Sequence, residues 1–545
     1  MYFKQNILAE PLFNQWYAWT YLIPPTSAAM YIANSHLKIM QSFVSAPLTH
    51  VSALQNPAMR GGPFIDYGPQ KATEIKQLMD KTVNEQSGMI EFAAAVCKLD
   101  QLLTTEANGY SMEALYQKVP DVLKGYVELV YNLNDKPSIR FLEGLLYKSK
   151  FYEPSSQSIA LSEINSDCRS FVFSTPRLES DGSLSLSTPF ASAGLDDLFK
   201  MKSVPQSLNH IKERLPVEKS MEALFDSFFT EKEPLKPAPF TEEAVRIRYF
   251  GHACLLIETK DVSLLIDPVI SYRYESEIDR CTFADLPATI DYALITHTHQ
   301  DHVMFETLLQ LRHKIRNIII PRSSGADRVD PSLKLILQTI GFSNVWEIDE
   351  MEQVPIPGGY IMGCPFLGEH ADLNVRTKLA YYVELLGKKL IMAADSNNLE
   401  SQLYKHLHEI VGNLDVLFIG MECDGAPMSW LYGPLLTQPI VRRNDQSRRF
   451  DGSTYEKGVA IVDILKPKQV YVYAMGQEPW CSFLTSIQYT DESRPIVESN
   501  RLVAECAKRG IVSERLYLRK ELLLTGGGSK AEGIRVAAST VGQAR

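Results

Sequence analysis

The chain has no long apolar run, no secretion signal and no excess of positive charge. None of its apolar stretches approaches the roughly 18 residues that cross a bilayer. The first residues lack the basic, apolar and small-residue order of a signal peptide. The formal net charge of −10 argues against a nucleic-acid partner, because phosphate neutralisation requires a basic face. These absences predict a cytoplasmic protein that binds neither membranes nor nucleic acids.

The chain contains few cysteines, and their spacing forms no paired motif. The 8 cysteines are scattered without a CxxC motif, a usage typical of a reducing compartment, and we expect most to be buried free thiols. A chain of 545 residues is longer than a single hydrophobic core usually accommodates. Its composition of 45% hydrophobic and 22% charged residues is typical of a globular protein. Two or three domains are therefore expected.

A proline-rich segment, "EKEPLKPAPF" at 231–240, marks the expected domain boundary. Upstream, apolar residues spaced by three and four predict helices over 74–103 and 119–133, and "SFVFSTP" and "SLSLSTP" predict short strands. Residues 1–235 are thus predicted to form a mainly helical α+β domain. Its aromatic stretch "NQWYAWTYLIPP" (14–25) fits ordinary core packing, with a pocket or an interface as the alternative.

Downstream, strand-like and helix-like segments alternate, which predicts an α/β domain over 240–525 with helices covering its sheets. A flexible tail is expected over 526–545. The glycine-rich "LLLTGGGSKAEG" (522–533), which leads into this tail, lacks the spacing of a phosphate-binding loop.

The strongest chemical signal is "THTHQDH" at 296–302, which holds three of the 11 histidines. The strand-like "DYALIT" precedes it, and residues two apart in an extended chain face the same side. Four potential ligands, His297, His299, Asp301 and His302, at the end of a strand predict a metal site.

This H-x-H-x-D-H motif, preceded by "YFGHACLLIET" and "VSLLIDP", resembles the metallo-β-lactamase superfamily over about residues 246 to 520. The resemblance implies an αββα sandwich with a two-metal site on its edge. Hydrolases of that superfamily add a histidine, a bridging aspartate and a final histidine. Asp395 matches the aspartate, but Glu369 stands beside His370 where the next histidine is expected, and no histidine follows His408.

Carboxylates replace the missing histidine, with Glu422 and Glu478 as the candidates for the last position. Hard oxygen donors suit iron, and zinc has no redox chemistry, so the departure favours an iron site that uses O2. The sequence resembles the di-iron β-hydroxylase family of chloramphenicol biosynthesis and related nonribosomal peptide pathways.

This resemblance implies seven ligands for two irons. One iron is expected on His297, His299 and Glu369, the other on Asp301 and His302, and Asp395 is expected to be shared. Glu422 completes the set, with Glu478 as its competitor. His370 is the alternative to Glu369, since neighbours in an extended segment point opposite ways.

The function implied is an O2-dependent monooxygenase that hydroxylates the β-carbon of an aminoacyl thioester on a nonribosomal peptide synthetase carrier (thiolation) domain. Its phosphopantetheine arm would present the substrate, electrons would come from an external donor protein or reductant, and a homodimer is expected. A zinc-dependent hydrolase is the alternative, and a docking module with a structural metal is the third reading.

Three further features remain open on sequence alone. His252 is either a donor that orients a ligand or a core histidine. Asp267 is expected to support the motif loop by hydrogen bonding. The arginine-rich "RRNDQSRR" (442–449) is either a solvated loop or a grip for the carrier's phosphate.

Overall fold

The computed structural model describes residues 1–525, and the predicted tail at 526–545, which includes most of the glycine-rich stretch, lies outside this range. The first 243 residues combine helices with short strands. The helices are α1 (Pro25–Tyr31), α2 (Leu37–Ser45), α3 (Pro47–Gln55), α4 (Ala72–Glu85), α5 (Ser87–Glu106), α6 (Glu143–Leu146), α7 (Ala193–Lys200), α8 (Leu208–Arg214) and α9 (Glu222–Ser227). A π-helical turn, Ile32–His36, joins α1 to α2.

Eight short strands accompany these helices. They are β1 (Tyr2–Phe3), β2 (Ile7–Phe13), β3 (Trp16–Tyr17), β4 (Val127–Tyr131), β5 (Pro137–Phe141), β6 (Gln157–Glu163), β7 (Ser183–Leu186) and β8 (Phe229–Thr230). One sheet has the antiparallel order β3-β2-β6-β7, and β1 with β8 and β4 with β5 form separate pairs. The α+β character of this part is confirmed.

Two local predictions in this part are wrong. Residues 119–133 form a single 3-10 turn and the strand β4 instead of a helix, because "VELVY" alternates by two and pairs with β5. Residues 170–176 form a turn instead of a strand. Buried Ser174 and Thr175 direct their hydroxyls to the backbone at 64–66, so the segment is fixed by side-chain hydrogen bonds instead of a ladder.

Two seven-stranded sheets form the centre of the C-terminal part. Their strands are β9 (Ala244–Gly251), β10 (Cys254–Glu258), β11 (Ser263–Ile266), β12 (Ile290–Leu294), β13 (Ile315–Pro321), β14 (Val345–Ile348), β15 (Gln353–Ile356), β16 (Gly359–Cys364), β17 (Ala380–Leu385), β18 (Lys388–Met392), β19 (Val416–Gly420), β20 (Gln469–Tyr473), β21 (Val512–Arg515) and β22 (Lys520–Thr525). The orders are β14-β13-β12-β11-β10-β9-β22 and β15-β16-β17-β18-β19-β20-β21. Strands β11 to β14 are parallel, as are β18 to β21.

Helices connect and flank the strands of the two sheets. They are α10 (Phe305–Leu311), α11 (Leu333–Thr339), α12 (Ser401–Val411), α13 (Ser429–Tyr432), α14 (Arg442–Ser447), α15 (Tyr455–Leu465), α16 (Ser482–Thr485) and α17 (Arg494–Lys508). One apolar core lies between the sheets, and a second lies under α12, α15 and α17. This is the αββα layering that the sequence predicts, and the carboxyl ends of its parallel strands place loops along one rim.

The N-terminal part packs on the first sheet of the sandwich. A continuous apolar core joins its helices to α10 and α11, and residues 231–243 between the two parts contain no helix or strand. A buried ion network crosses the same contact. Arg169 lies 2.7 Å from both Glu10 on β2 and Glu306 on α10. Because α10 directly follows the histidine motif, the N-terminal part is tied to the metal-site loop.

None of the helices within residues 1–525 is both long and apolar enough to cross a membrane. All 8 cysteines are free thiols, and six of them are buried.

Candidate metal centre

The histidine motif lies in the loop after β12, at the carboxyl edge of the parallel strands. Its three histidines are buried, with 0%, 5% and 0% exposure for His297, His299 and His302. Asp267, which follows β11, holds the loop as predicted. Its carboxylate accepts from the Thr296 amide at 2.8 Å and the Thr296 hydroxyl at 2.6 Å, and it lies 2.8 Å from His302 Nδ1.

One group of donors combines His297, His299 and Glu369, whose ligand atoms all lie within 4.8 Å of one another. Glu369 Oε1 lies 2.9 Å from His299 Nδ1. The Nε2 atom of His299 lies 3.1 Å from the Tyr432 hydroxyl, and the Nε2 atom of His297 has no hydrogen-bond partner within residues 1–525. His299 Nδ1 and His297 Nε2 are therefore the nitrogens available to a metal.

Asp395 lies between this group and the rest of the motif. It follows β18, and its Oδ2 atom lies 2.9 Å from His302 Nε2 and 3.7 Å from His297 Nε2. Burial opposes the charge of His302, but Asp395 and Asp267 outweigh it and raise the pKa of His302 well above its ordinary value, so both ring nitrogens donate to these carboxylates and a metal beside Asp395 would replace the Nε2 proton. Asp395 thus has the geometry of a carboxylate shared between two metals.

His252 is brought to the same position from the turn between β9 and β10. Its Nε2 atom lies 3.3 Å from Asp301 Oδ2, and the two residues form a compact donor group with His302. The Gly476 amide donates to His252 Nδ1 at 3.1 Å, so a neutral His252 carries its proton on Nε2. A neutral His252 therefore faces Asp301 with an N–H group instead of a lone pair, a placement that agrees with the orienting alternative of the sequence analysis.

The segment after β16 is not extended, so the choice between Glu369 and His370 does not follow from opposite sides of a strand. Glu369, Ala371 and Asp372 have positive φ values of 64°, 52° and 58°, which turn the backbone sharply. Both side chains are buried, and the ring of His370 stacks on His299 with 4.5 Å between centroids. Glu369 alone of the two joins a compact donor group.

The two candidates for the last carboxylate lie in different places. Glu422 lines the same cavity as Asp301, Glu369 and Asp395. Glu478 accepts a hydrogen bond from the Tyr249 hydroxyl and lines a separate surface depression. The geometry favours Glu422 beside the metal donors.

Like charges accumulate at this rim. Burial and then the neighbouring Asp395 raise the pKa of Glu369 well above its ordinary value and that of Glu422 to about 8. Burial opposes ionisation of Asp301 as well, but the imidazoles of His252 and His302 outweigh it and hold the pKa of Asp301 below its ordinary value. Without cations these buried carboxyls do not all ionise together at neutral pH, and two metal ions would supply the charge that lets them do so.

The site opens into a cavity of about 340 Å³. Both parts of the chain line it, with Arg60 and Gly61 from the N-terminal part facing Trp430, Arg449 and Phe450. Gln300 also lines it, and its side-chain oxygen is buried without a partner in the described part of the chain. This volume suits a small-molecule group instead of a folded partner.

Other sequence candidates lie away from the metal donors. His406 and His408 are on α12, and His408 lies 2.9 Å from Asn413 Oδ1. In the arginine-rich segment, Arg449 lines the cavity, whereas Arg442 and Arg443 are exposed on α14. His252 is the residue whose proximity the sequence did not establish, because 49 residues separate it from Asp301.

Two family models match the chain. One, described as the di-iron non-haem β-hydroxylase N-terminal domain, covers residues 2–234. The other, the β-lactamase superfamily domain, covers residues 246–421.

Among curated proteins, the chain is 37% identical over 530 residues to the 4-amino-L-phenylalanyl-[CmlP-peptidyl-carrier-protein] 3-hydroxylase of Streptomyces venezuelae. That match covers 96% of this chain and 99% of the relative. A UPF0173 protein of Pyrococcus abyssi is 27% identical over 225 residues, which are 41% of this chain and 80% of that protein.

Among solved structures, the chain is similar to CmlA, a di-iron β-hydroxylase from Streptomyces venezuelae. The TM-score is 0.90 at 36% identity, and the match covers 96% of this chain and 99% of that one. A variant of CmlA gives a TM-score of 0.89.

Proposed function

The chain belongs to the di-iron non-haem β-hydroxylase family, and from this membership we propose that it is an O2-dependent monooxygenase acting on a carrier-bound aminoacyl group. The substrate would be a thioester on the phosphopantetheine arm of a nonribosomal peptide synthetase carrier domain, hydroxylated at its β-carbon. The observation that carries this proposal is the full-length similarity to a carrier-protein 3-hydroxylase, together with the carboxylate-rich donor cluster at the rim.

We propose that seven side chains hold the two irons. The first iron would be held by His297, His299 and Glu369, which form one compact donor group. The second would be held by Asp301, His302 and Glu422, with Asp395 shared between them; the full set is His297, His299, Asp301, His302, Glu369, Asp395 and Glu422. Three observations support this set. The Nε2 atom of His297 has no hydrogen-bond partner within residues 1–525, and Asp395 lies close to both His302 and His297. Burial and the neighbouring carboxylates also raise the pKa of Glu369.

Backbone strain at these loops supports a functional site as well. Non-glycine residues with positive φ occur at His252, Asp267, Glu369 and Ala394, each of them in a metal-site loop. Such conformations cost on the order of 1–3 kcal/mol each and persist where the surrounding structure fixes them.

When bound, the two irons supply activation of O2 and removal of the β-hydrogen. One oxygen atom enters the product as the hydroxyl group, and the other leaves as water after receiving two electrons and two protons from an external donor. The chain's own residues bind the substrate, orient the β-carbon and exclude water.

Substrate binding falls to the residues of the cavity. The carboxamide of Gln300 would accept a hydrogen bond from the α-amino group, since its buried oxygen lacks a partner within residues 1–525. Trp430 and Phe450 would pack against the side chain of the substrate. Arg60 and Arg449, which also line the cavity, would interact with the phosphate of the phosphopantetheine arm.

The test compares substrates that share one amino acid. Protein loaded with iron is reduced, exposed to ¹⁸O2 and given the amino acid either on a carrier domain or free, with an uncharged carrier as the control. We expect the carrier-bound form to gain one labelled oxygen atom at the β-carbon and the free form to gain little. Equal turnover of the free amino acid would contradict carrier dependence.

Metal content decides between the oxygenase and the hydrolase alternative. Elemental analysis and Mössbauer spectroscopy of an iron-57 sample are expected to find about two coupled irons per chain. Two zinc ions, with iron unable to bind anaerobically and hydrolysis abolished by a chelator, would refute the oxygenase.

The remaining expectations are proposals that rest on the resemblance. We propose an electron-donor protein or reductant, a homodimer through the domain at 1–235 and a catalytic domain at 240–525. The free thiols support the cytoplasmic location. Light scattering tests the dimer, and limited proteolysis near 231–243 tests the boundary.

A further inference from the structure

The aromatic stretch of the N-terminal part lies against the metal-site loop instead of in a remote core. Trp16 and Tyr17 form β3, and Thr20, Tyr21 and Leu22 form a single 3-10 turn that is fully buried. This segment, Trp16–Leu22, makes several contacts with the C-terminal part, three of which lie near the histidine motif.

Each contact involves a residue close to a proposed metal ligand. The Thr20 hydroxyl donates to the carbonyl of Thr298, inside the histidine motif, at 2.8 Å. The Tyr17 hydroxyl donates to Glu306 at 2.9 Å, at the start of the helix after the motif. The ring of Tyr21 packs edge-on against Tyr432, with 5.9 Å between centroids.

Tyr432 carries this contact to a histidine of the site. Its hydroxyl lies 3.1 Å from His299 Nε2, while the Nδ1 atom of the same ring lies 2.9 Å from Glu369. A metal on Nδ1 leaves the proton of the neutral imidazole on Nε2, and the Tyr432 oxygen is placed to accept it. Tyr432 is 2% exposed, and Tyr21 and Phe450 pack against its ring.

We propose that Tyr432 is a positioning residue that fixes the metal-binding nitrogen of His299, and that the N-terminal segment Trp16–Leu22 holds Tyr432 and the motif loop in place. The proposal rests on the proposed ligand role of His299. The N-terminal part then serves the metal centre directly, in addition to any role in binding a partner.

The expected effect is on metal affinity. Hydrogen-bond partners behind metal-binding histidines typically contribute 10–100-fold to metal affinity or activity. Tyr432→Phe keeps the ring and its packing but removes the acceptor, so we expect roughly 10-fold weaker binding at one of the two metal positions. Thr20→Val removes the hydrogen bond to Thr298 and is expected to weaken the same position by a smaller factor.

The test is an anaerobic titration of the full-length metal-free protein with Co²⁺, followed by its visible absorption. Tyr67→Phe is the matched control, since the Tyr67 hydroxyl donates to the Pro176 carbonyl at 2.9 Å within the N-terminal part. We expect Tyr432→Phe to change the affinity and the absorption bands of one Co²⁺ ion, and Tyr67→Phe to change neither. Thermal unfolding of each metal-free variant reports general destabilisation.

Three outcomes overturn the proposal. Unchanged Co²⁺ affinity and spectra in Tyr432→Phe refute the role of Tyr432, and so do equal losses in Tyr432→Phe and Tyr67→Phe. An effect of Tyr432→Phe without any effect of Thr20→Val refutes the part assigned to the N-terminal segment. Parent protein that binds Co²⁺ but never hydroxylates a carrier-bound amino acid refutes the proposed function and leaves this test valid.

Discussion

Glu10 belongs to the buried ion network that extends from the N-terminal part to the helix after the metal-site loop. It lies on β2, is 7% exposed, and accepts from Arg169 at 2.7 Å and from Arg177 at 2.9 Å. Arg169 also contacts Glu306, beside the metal-site loop, at 2.7 Å. The perturbation is Glu10→Gln, which keeps the shape of the side chain and removes its charge.

The magnitude follows from the ionisation of this carboxyl. Burial opposes its charge, but Arg177 and Arg169 outweigh burial and lower the pKa of Glu10 from 4.5 to about 2. That displacement corresponds to roughly 3 kcal/mol of stability at pH 7, in the range of about 3–5 kcal/mol expected when a buried ion pair is broken. Because the folded-state pKa is the lower one, this stability is present above pH 4.5 and is lost as the pH falls through about 2.

The assay is urea unfolding of the metal-free protein at pH 7 and pH 3, with Glu163→Gln as the control. Glu163 lies on the neighbouring strand β6 and pairs with Lys4 at 2.7 Å, but their side chains are 51% and 32% exposed. We expect Glu10→Gln to cost roughly 3 kcal/mol at pH 7 and less than half of that at pH 3, and Glu163→Gln to cost less than about 1 kcal/mol. A cost equal to that of Glu163→Gln, or one independent of pH, would refute this account of the network.

Three further predictions concern single side chains. Asp395→Asn removes the carboxylate placed between the two metal positions, so elemental analysis should find the bound iron reduced to about one ion per chain or less; two tightly bound irons would contradict sharing. Gln300→Leu removes the proposed acceptor of the α-amino group and should raise KM for the carrier-bound substrate about 10-fold with iron content unchanged; steady-state kinetics with an unchanged KM would argue against that contact. Lys202→Met should stabilise the chain by about 2 kcal/mol at pH 7, because burial lowers the pKa of Lys202 to about 7 and its nitrogen, which faces the rings of Tyr272 and Phe283, has no hydrogen-bond partner within residues 1–525. Since that pKa lies below 10.5, the penalty grows as the pH falls from about 10 to about 7, so urea unfolding that shows the same gain at both pH values would contradict this reasoning.

Local sequence was sufficient for much of the sandwich. The β-branched and apolar runs before His297 and Asp395 formed strands β12 and β18, because residues buried on both faces of a sheet read as continuous apolar segments. The helical spacing of 401–411 likewise formed α12. In residues 119–133 the spacing of apolar residues is not sufficient. The apolar residues of "VELVY" have spacings that fit both a helix and a strand, and pairing with β5 selects the strand.

The sequence predicts the proposed metal ligands most directly where they are close together in the chain. His297, His299, Asp301 and His302 form one local motif, and the absence of a histidine after His408 indicated carboxylates in its place. The position of Glu422 relative to Glu478, the choice of Glu369 over His370, and the approach of His252 to Asp301 depend on loops that are distant in sequence. The periodicity and spacing of residues describe one segment of the chain at a time. The distances between side chains on different loops are fixed by packing of the two sheets and by left-handed backbone turns.

For the aromatic stretch at 14–25, the sequence predicted burial but not the residues that it contacts. Its composition indicated burial, and Trp16, Trp19 and Tyr21 are indeed buried. Its partners are Thr298, Glu306 and Tyr432, more than 270 residues away along the chain. Apolar composition predicts that a segment is buried, because burial is favourable for any apolar surface. Which residues the buried segment contacts depends on the tertiary structure that packs around it.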